Sequence, residues 1–133
     1  KLTYRRYLEI FSGPRWNALR AAGARPQRVL WASTSTKNPA YRDVRYIEEL
    51  IGAGTVNTIP LETAAAFREH GRLRNSLAED PAGAERVLKD LEELGIPLDE
   101  ITDRLLIEGV ALFASAFRKL LDAIRTRSVE APA

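Results

Sequence analysis

Apolar positions along the chain recur first at helical spacing, then in short unbroken runs, then at helical spacing again. Leu2, Tyr4, Tyr7, Leu8 and Phe11 form one helical stripe. Ser12-Gly13-Pro14 breaks it and restarts a helix, because proline suits a first helical turn. Trp16 and Leu19 carry that second piece to Gly23, a left-handed stop. The run at 27–32 is bounded by Pro26 and a hydroxyl cluster, and suits a strand buried on both faces. Tyr46, Ile47, Leu50 and Ile51 predict a short amphipathic helix ending at Gly52. Residues 55–59 are β-branched and closed by Pro60, a second strand. A helix over 61–70 stops at Gly71, and Asp80-Pro81 starts another that carries Val87, Leu88, Leu91 and Leu94 to Gly95. The last helix begins near Asp99, with Ile101, Leu105, Val110, Phe113, Phe117, Leu120 and Ile124 at helical spacing. Arg118, Lys119, Arg125 and Arg127 gather toward its C-terminus, where cations complement the helix dipole. This reading gives one segment over 1–128 and a disordered tail over 129–133.

Strands alternating with helices imply parallel βα units. Two strands alone make no stable parallel sheet, since each needs neighbours and cover on both faces. The pattern therefore fits either a mostly helical domain or the last part of a larger α/β barrel. The chain contains no methionine and opens inside a helical pattern, which favours the later part of a longer chain.

Composition narrows the chemistry. The 133 residues are 45% hydrophobic and 29% charged, an ordinary globular balance. The net charge of +2 comes from 20 basic and 18 acidic residues of interspersed sign, which argues against a nucleic-acid surface. With no cysteine and one histidine, a thiolate nucleophile, a disulfide framework and a metal site are all disfavoured. No apolar run reaches membrane-spanning length and no signal peptide is visible, so a cytoplasmic protein is expected.

Candidate chemistry concentrates at "WASTSTKNPAY", residues 31–41, where the apolar run stops in hydroxyls followed by Lys37 and Asn38. Hydroxyls at a strand end cap loose backbone groups, and they also donate to anions. Both readings stand on the pattern alone. Lys37 as a Schiff-base nucleophile requires a desolvated site, whereas a loop position beside Asn38-Pro39 is wet. Trp31 shares the parity of Ser33 if the strand is regular, so both would face one way. Asn57 is expected to hydrogen-bond its neighbours, and His70 to complement the dipole of its helix end. Glu48 and Glu49 read as a solvated face, and Phe113 and Phe117 as packing residues.

Three stretches in order carry a family resemblance: "FSGPRW" (11–16), "WASTSTKNPAY" (31–41) and "YIEELIGAGTVNTIP" (46–60). With "EGVALFASAF" (108–117) they resemble the transaldolases, in the longer bacterial form that is sometimes fused to a glucose-6-phosphate isomerase. The resemblance implies a helix-rich α/β chain, the C-terminal part of a (β/α)8 TIM barrel holding its last two strands, 27–33 and 55–59, and several helices. It also implies an enzyme of the pentose phosphate pathway that moves a dihydroxyacetone unit between sugar phosphates through a lysine Schiff base, without a cofactor. The family's Schiff-base lysine and its acid–base carboxylates lie on earlier strands, so no catalytic residue is expected here and this segment alone should be inactive. By the same resemblance Ser33 and Lys37 hold the substrate phosphate, with Ser35 and Asn38 beside them. Lysine stands where many relatives have arginine, which replaces a bidentate fork with a point charge. The implied partners are sugar phosphates and the remainder of the barrel, in the same or another chain, with an oligomer possible and neither nucleic acid nor membrane. The alternative is a non-catalytic binding or structural module that kept the barrel sequence. Either way, unpartnered strands and apolar faces predict poor solubility or self-association of the isolated segment.

Overall fold

The computed structural model describes residues 1–130, and side chains through residue 127. It contains two compact units, Lys1–Arg86 and a second that begins at Val87. In order, the elements are α1 (Leu2–Ile10), α2 (Pro14–Ala21), β1 (Leu30–Trp31), α3 (Arg45–Glu48), β2 (Val56–Asn57), α4 (Leu61–His70), a 3-10 turn (Ser76–Ala78), α5 (Pro81–Glu93) and α6 (Leu98–Glu130).

The expected break between the first two helices is present, and aromatic contacts bridge it. Tyr4, Tyr7, Phe11 and Trp16 form a ladder with successive centroids 6.1, 5.2 and 4.8 Å apart, the last pair edge to face. Gly23, at φ 93, is the left-handed residue that closes α2. Tyr4 is buried and its hydroxyl donates to the Ala53 carbonyl at 3.0 Å. Leu77 is fully buried against the same place, and Gly52 lies so close that a Cβ there would sit 2.7 Å from Leu77 Cδ1 and 3.1 Å from Tyr4 Cζ. Val44 and Ile47 complete the buried apolar set together with Trp16.

The two strands pair in parallel as expected, with Leu30 opposite Val56 and Trp31 opposite Asn57. They are much shorter than the runs at 27–33 and 55–59. The Val56 amide donates to the Val29 carbonyl at 2.9 Å, and the Thr58 amide to the Trp31 carbonyl at 3.0 Å. At the far end Ser33 adopts φ 58, which turns the chain out of the strand. Thr55 is engaged elsewhere, since its hydroxyl donates to the Gly52 carbonyl at 2.8 Å. A ladder persists only where two extended backbones stay side by side, and here that is two residues.

The helix expected through Ile51 also ends early, at Glu48. Ile51 is drawn away because its carbonyl accepts from the Leu77 amide at 3.1 Å and its amide donates to Ser76 Oγ at 3.1 Å. Helices α4 and α5 follow the sequence signals. The Asp80 carboxylate caps α5 by accepting from the Gly83 amide at 2.8 Å. In the second unit, α6 runs for 33 residues, starting one residue before Asp99. Of the expected tail, residues 129 and 130 continue this helix and 131–133 lie outside the described residues. Phe113 and Phe117, read as packing residues, are exposed at 82% and 61%.

Candidate functional site

Beyond β1 the chain crosses twelve residues, 32–43, with no regular structure before it reaches Val44 and α3. Several ties nevertheless fix it. The first is at Thr34, only 4% exposed, whose hydroxyl donates to Asn57 Oδ1 on β2 at 2.8 Å. Asn38 makes an Asx turn: its Oδ1 accepts from the Ala40 amide at 2.9 Å, and its carbonyl from the Tyr41 amide at 3.1 Å. Arg42 closes the segment with a bidentate fork, Nη1 to Glu48 Oε2 at 2.8 Å and Nη2 to Glu48 Oε1 at 3.1 Å.

Glu48 corrects the sequence reading. It is buried, at 7% exposure, where a solvated face is expected. Besides the Arg42 fork, Glu48 Oε1 accepts from the Arg72 amide at 2.9 Å, so it ties α3 to the segment after α4. Burial pushes this carboxyl up, but the Arg72 amide and the Arg42 guanidinium outweigh it and hold the group below the usual carboxylate range. Glu49, by contrast, is exposed and pairs with Arg74.

A polar cleft of about 240 Å³ opens beside this segment. Ser35, Thr36 and Lys37 line one side, with Asp43, and the first turns of α4 contribute Glu62, Thr63 and Ala66. Of the phosphate candidates, Ser35 and Lys37 thus meet in one cleft, while Ser33 and Asn38 are exposed and outside its lining. Lys37 is itself exposed, in keeping with a wet loop position. The Asn38 side-chain oxygen already accepts within its turn. The Ser33 bend corrects the shared parity of Trp31 and Ser33: the strand ends between them, and the buried residue is Thr34. Among the described residues, Trp31 Nε1 and Thr36 Oγ1 are buried without a hydrogen-bond partner, and Thr36 is on the cleft wall.

The charges of the cleft are mixed. Lys37 shares the lining with two carboxylates, Asp43 and Glu62. Asp43 is engaged by His70, whose Nε2 lies 2.8 Å from Asp43 Oδ1. The hydrogen bond from His70 holds the Asp43 carboxyl below its ordinary range. His70 therefore does more than sit at the end of α4. Among the described residues there is no cluster of His, Cys, Asp and Glu that could hold a metal.

Sequence reasoning located the segment and expected Asn57 to hydrogen-bond nearby, which it does, but missed the burial of Thr34 and of Glu48 and the Asp43–His70 pair. A periodic pattern carries no information on which residues of an irregular segment turn inward. Comparison with known proteins places the segment in context. The family model described as Transaldolase/Fructose-6-phosphate aldolase matches residues 2–124. The chain belongs to this family. A protein named transaldolase from Parafrankia sp. is 47% identical over 126 residues, covering 94% of this chain and 34% of that relative. Another, from Acidothermus cellulolyticus, is 48% identical over 131 residues, covering 98% and 35%. One from Thiobacillus denitrificans is 46% identical over 124 residues, covering 93% and 34%. The chain thus spans about a third of the length of the curated transaldolases it matches, and corresponds to their C-terminal part.

Proposed function

We propose that this chain is the C-terminal segment of a transaldolase and that it supplies part of the pocket for the substrate phosphate. The reading rests on one observation above all: near-full-length similarity, at 46–48% identity, to proteins named transaldolase. The parallel pair β1–β2 supports it, since an extended segment ending in "STSTKN" is the kind of strand end on which α/β barrels build their sites. On this reading residues 1–128 close a (β/α)8 barrel whose earlier strands come from the rest of a longer protein, and β1 and β2 are its last two strands. The enzyme is a cytoplasmic transferase of carbohydrate metabolism. It moves a dihydroxyacetone unit between sugar phosphates through a Schiff base on a lysine of an earlier strand.

The residues of this chain then act on the phosphate end of the substrate. Ser33 and Ser35 donate hydrogen bonds, Lys37 supplies charge, and Asn38 sets the turn that presents Lys37. Holding one end of the sugar places the carbonyl at the distant lysine, which converts binding energy into orientation. Thr36 Oγ1, buried and unpartnered on the cleft wall, is a further donor in reach of the same space. Among the described residues no helix is long and apolar enough to cross a membrane.

Borohydride trapping with fructose 6-phosphate tests the chemistry, applied to this chain and to the full-length protein and read by intact mass. An adduct on the full-length protein alone is the expected result. An adduct on this chain moves the nucleophile to Lys37, and none on either makes the segment a non-catalytic module. The phosphate role is tested separately in the full-length enzyme. Ser33→Ala and Lys37→Ala should each raise KM for phosphorylated substrates about tenfold or more, the loss of a hydrogen bond to a charged group. Unchanged KM in both removes these residues from the phosphate site.

A further inference from the structure

Ser33 has φ 58, an uncommon conformation for a residue with a Cβ, and nothing in its own side chain explains it. Such a conformation persists only where its surroundings over-determine it. Two restraints flank it. On one side the Trp31 carbonyl accepts from the Thr58 amide at 3.0 Å, which locks the last residue of β1 to β2. On the other, Thr34 is buried and its hydroxyl donates to Asn57 Oδ1 at 2.8 Å. Asn57 lies directly opposite Trp31 in the register, so both restraints lead to the same place on β2. The chain between Trp31 and Thr34 must then bend within two residues, and the bend falls on Ser33.

From this geometry we infer that Asn57 and Thr34 are positioning residues, which hold the left-handed bend at Ser33 and thereby set where Ser35 and Lys37 stand in the cleft. The inference rests on the phosphate-pocket reading for its consequence, but not for its structural half. Thr34 and Asn57 touch no substrate on this account. Without the Asn57 oxygen the Thr34 hydroxyl would be buried unpartnered, and the segment relaxes by releasing both Thr34 and the bend.

The test uses the full-length protein and four variants. Asn57→Ala and Thr34→Val break the bond, the second with almost no change of shape. Asn57→Asp and Thr34→Ser keep an acceptor and a donor. Amide hydrogen exchange over 32–38, without ligand, should quicken about tenfold in the first two and stay near wild type in the conservative pair. In the enzyme assay KM for fructose 6-phosphate and the inhibition constant of inorganic phosphate should rise together, again about tenfold, while kcat stays within about twofold. Unchanged exchange in both Asn57→Ala and Thr34→Val overturns the inference. A variant that quickens exchange and lowers kcat with KM unchanged also overturns it. A wild-type protein that neither turns over nor binds inorganic phosphate, with exchange responding as expected, sinks the phosphate reading instead and leaves the structural half standing.

Discussion

At the scale of single residues, the buried carboxylate of Glu48 is the most consequential group outside the cleft. It accepts three hydrogen bonds, two from the Arg42 fork and one from the Arg72 amide, and so joins the end of the strand-end segment to the chain after α4. Glu48→Ala should leave the Arg72 amide without its acceptor and lower its protection from hydrogen exchange about tenfold or more, as measured by mass spectrometry on the full-length protein. The same group carries a pH dependence whose sign is fixed. Its folded-state pKa is depressed, so its stabilisation is complete above the unfolded carboxylate value of about 4.3 and is lost as pH falls through the folded value. The exchange rate of Arg72 should therefore begin to climb below about pH 4 in the wild type, after correction for the intrinsic rate, and show no such climb in Glu48→Gln. A sequence reader sees two adjacent glutamates on a short helix and assigns both to solvent. What separates them is the distance of Glu48 from Arg42 and Arg72 in space, which no local pattern encodes. The same holds for Thr34: it is buried beside a bend at the residue before it, and its partner Asn57 lies on the other strand, 23 residues away in sequence.

At the scale of elements, the sequence located each of the α-helices α1–α6 and both strands, missed the 3-10 turn at Ser76–Ala78, and erred at several ends. The helices that start and stop by local chemistry came out as expected: Pro14 and Gly23 around α2, Gly71 after α4, Asp80-Pro81 before α5. The elements that misfit are those whose length depends on a neighbour. Strand β1 pairs over two residues because Ser33 departs, and α3 ends at Glu48 because Ile51 is held by Ser76 and Leu77. That second junction is also closely packed. Gly52 sits there against Leu77 and Tyr4 with no room for a Cβ, and the Leu77 side chain is not free to move, being fully buried. Gly52→Ala should cost about 1–3 kcal/mol through overpacking. Leu77→Ala should cost about 2–5 kcal/mol through the opposite fault, a cavity. If the clash is with Leu77, the double variant Gly52→Ala/Leu77→Ala should cost less than the sum of the two singles. Denaturant titration of the full-length protein, read by a probe in this segment, measures all three; strict additivity would show that Gly52 and Leu77 do not share the site.

At the scale of the whole molecule, the balance of buried and exposed apolar surface decides how the isolated segment behaves. In the first unit five large apolar side chains are buried, Tyr4, Trp16, Val44, Ile47 and Leu77. In α6 the pattern reverses. Leu105, Leu106, Val110, Phe113, Phe117 and Ile124 are all more than half exposed, with Phe113 at 82%. Leaving a large apolar side chain in water forgoes about 1.5–3 kcal/mol relative to burying it. A helix that exposes this many offers a contiguous apolar surface, and patches of that kind drive association. Both strands add to the tendency, because a two-stranded parallel sheet presents an open edge on each side. The 133-residue chain made alone should therefore self-associate at micromolar concentration, giving a sedimentation distribution that shifts to larger species as concentration rises. Phe113→Glu and Phe117→Glu should reduce that shift if the α6 face is responsible. Leu30→Lys, on β1 itself, should reduce it if strand pairing dominates. If the segment belongs to a longer protein as proposed, that protein should show neither response, because its remaining residues would cover these surfaces. A segment that stays monomeric at all concentrations and melts cooperatively would mean that the exposed face of α6 is tolerated in water, and that these 133 residues are an independent folding unit.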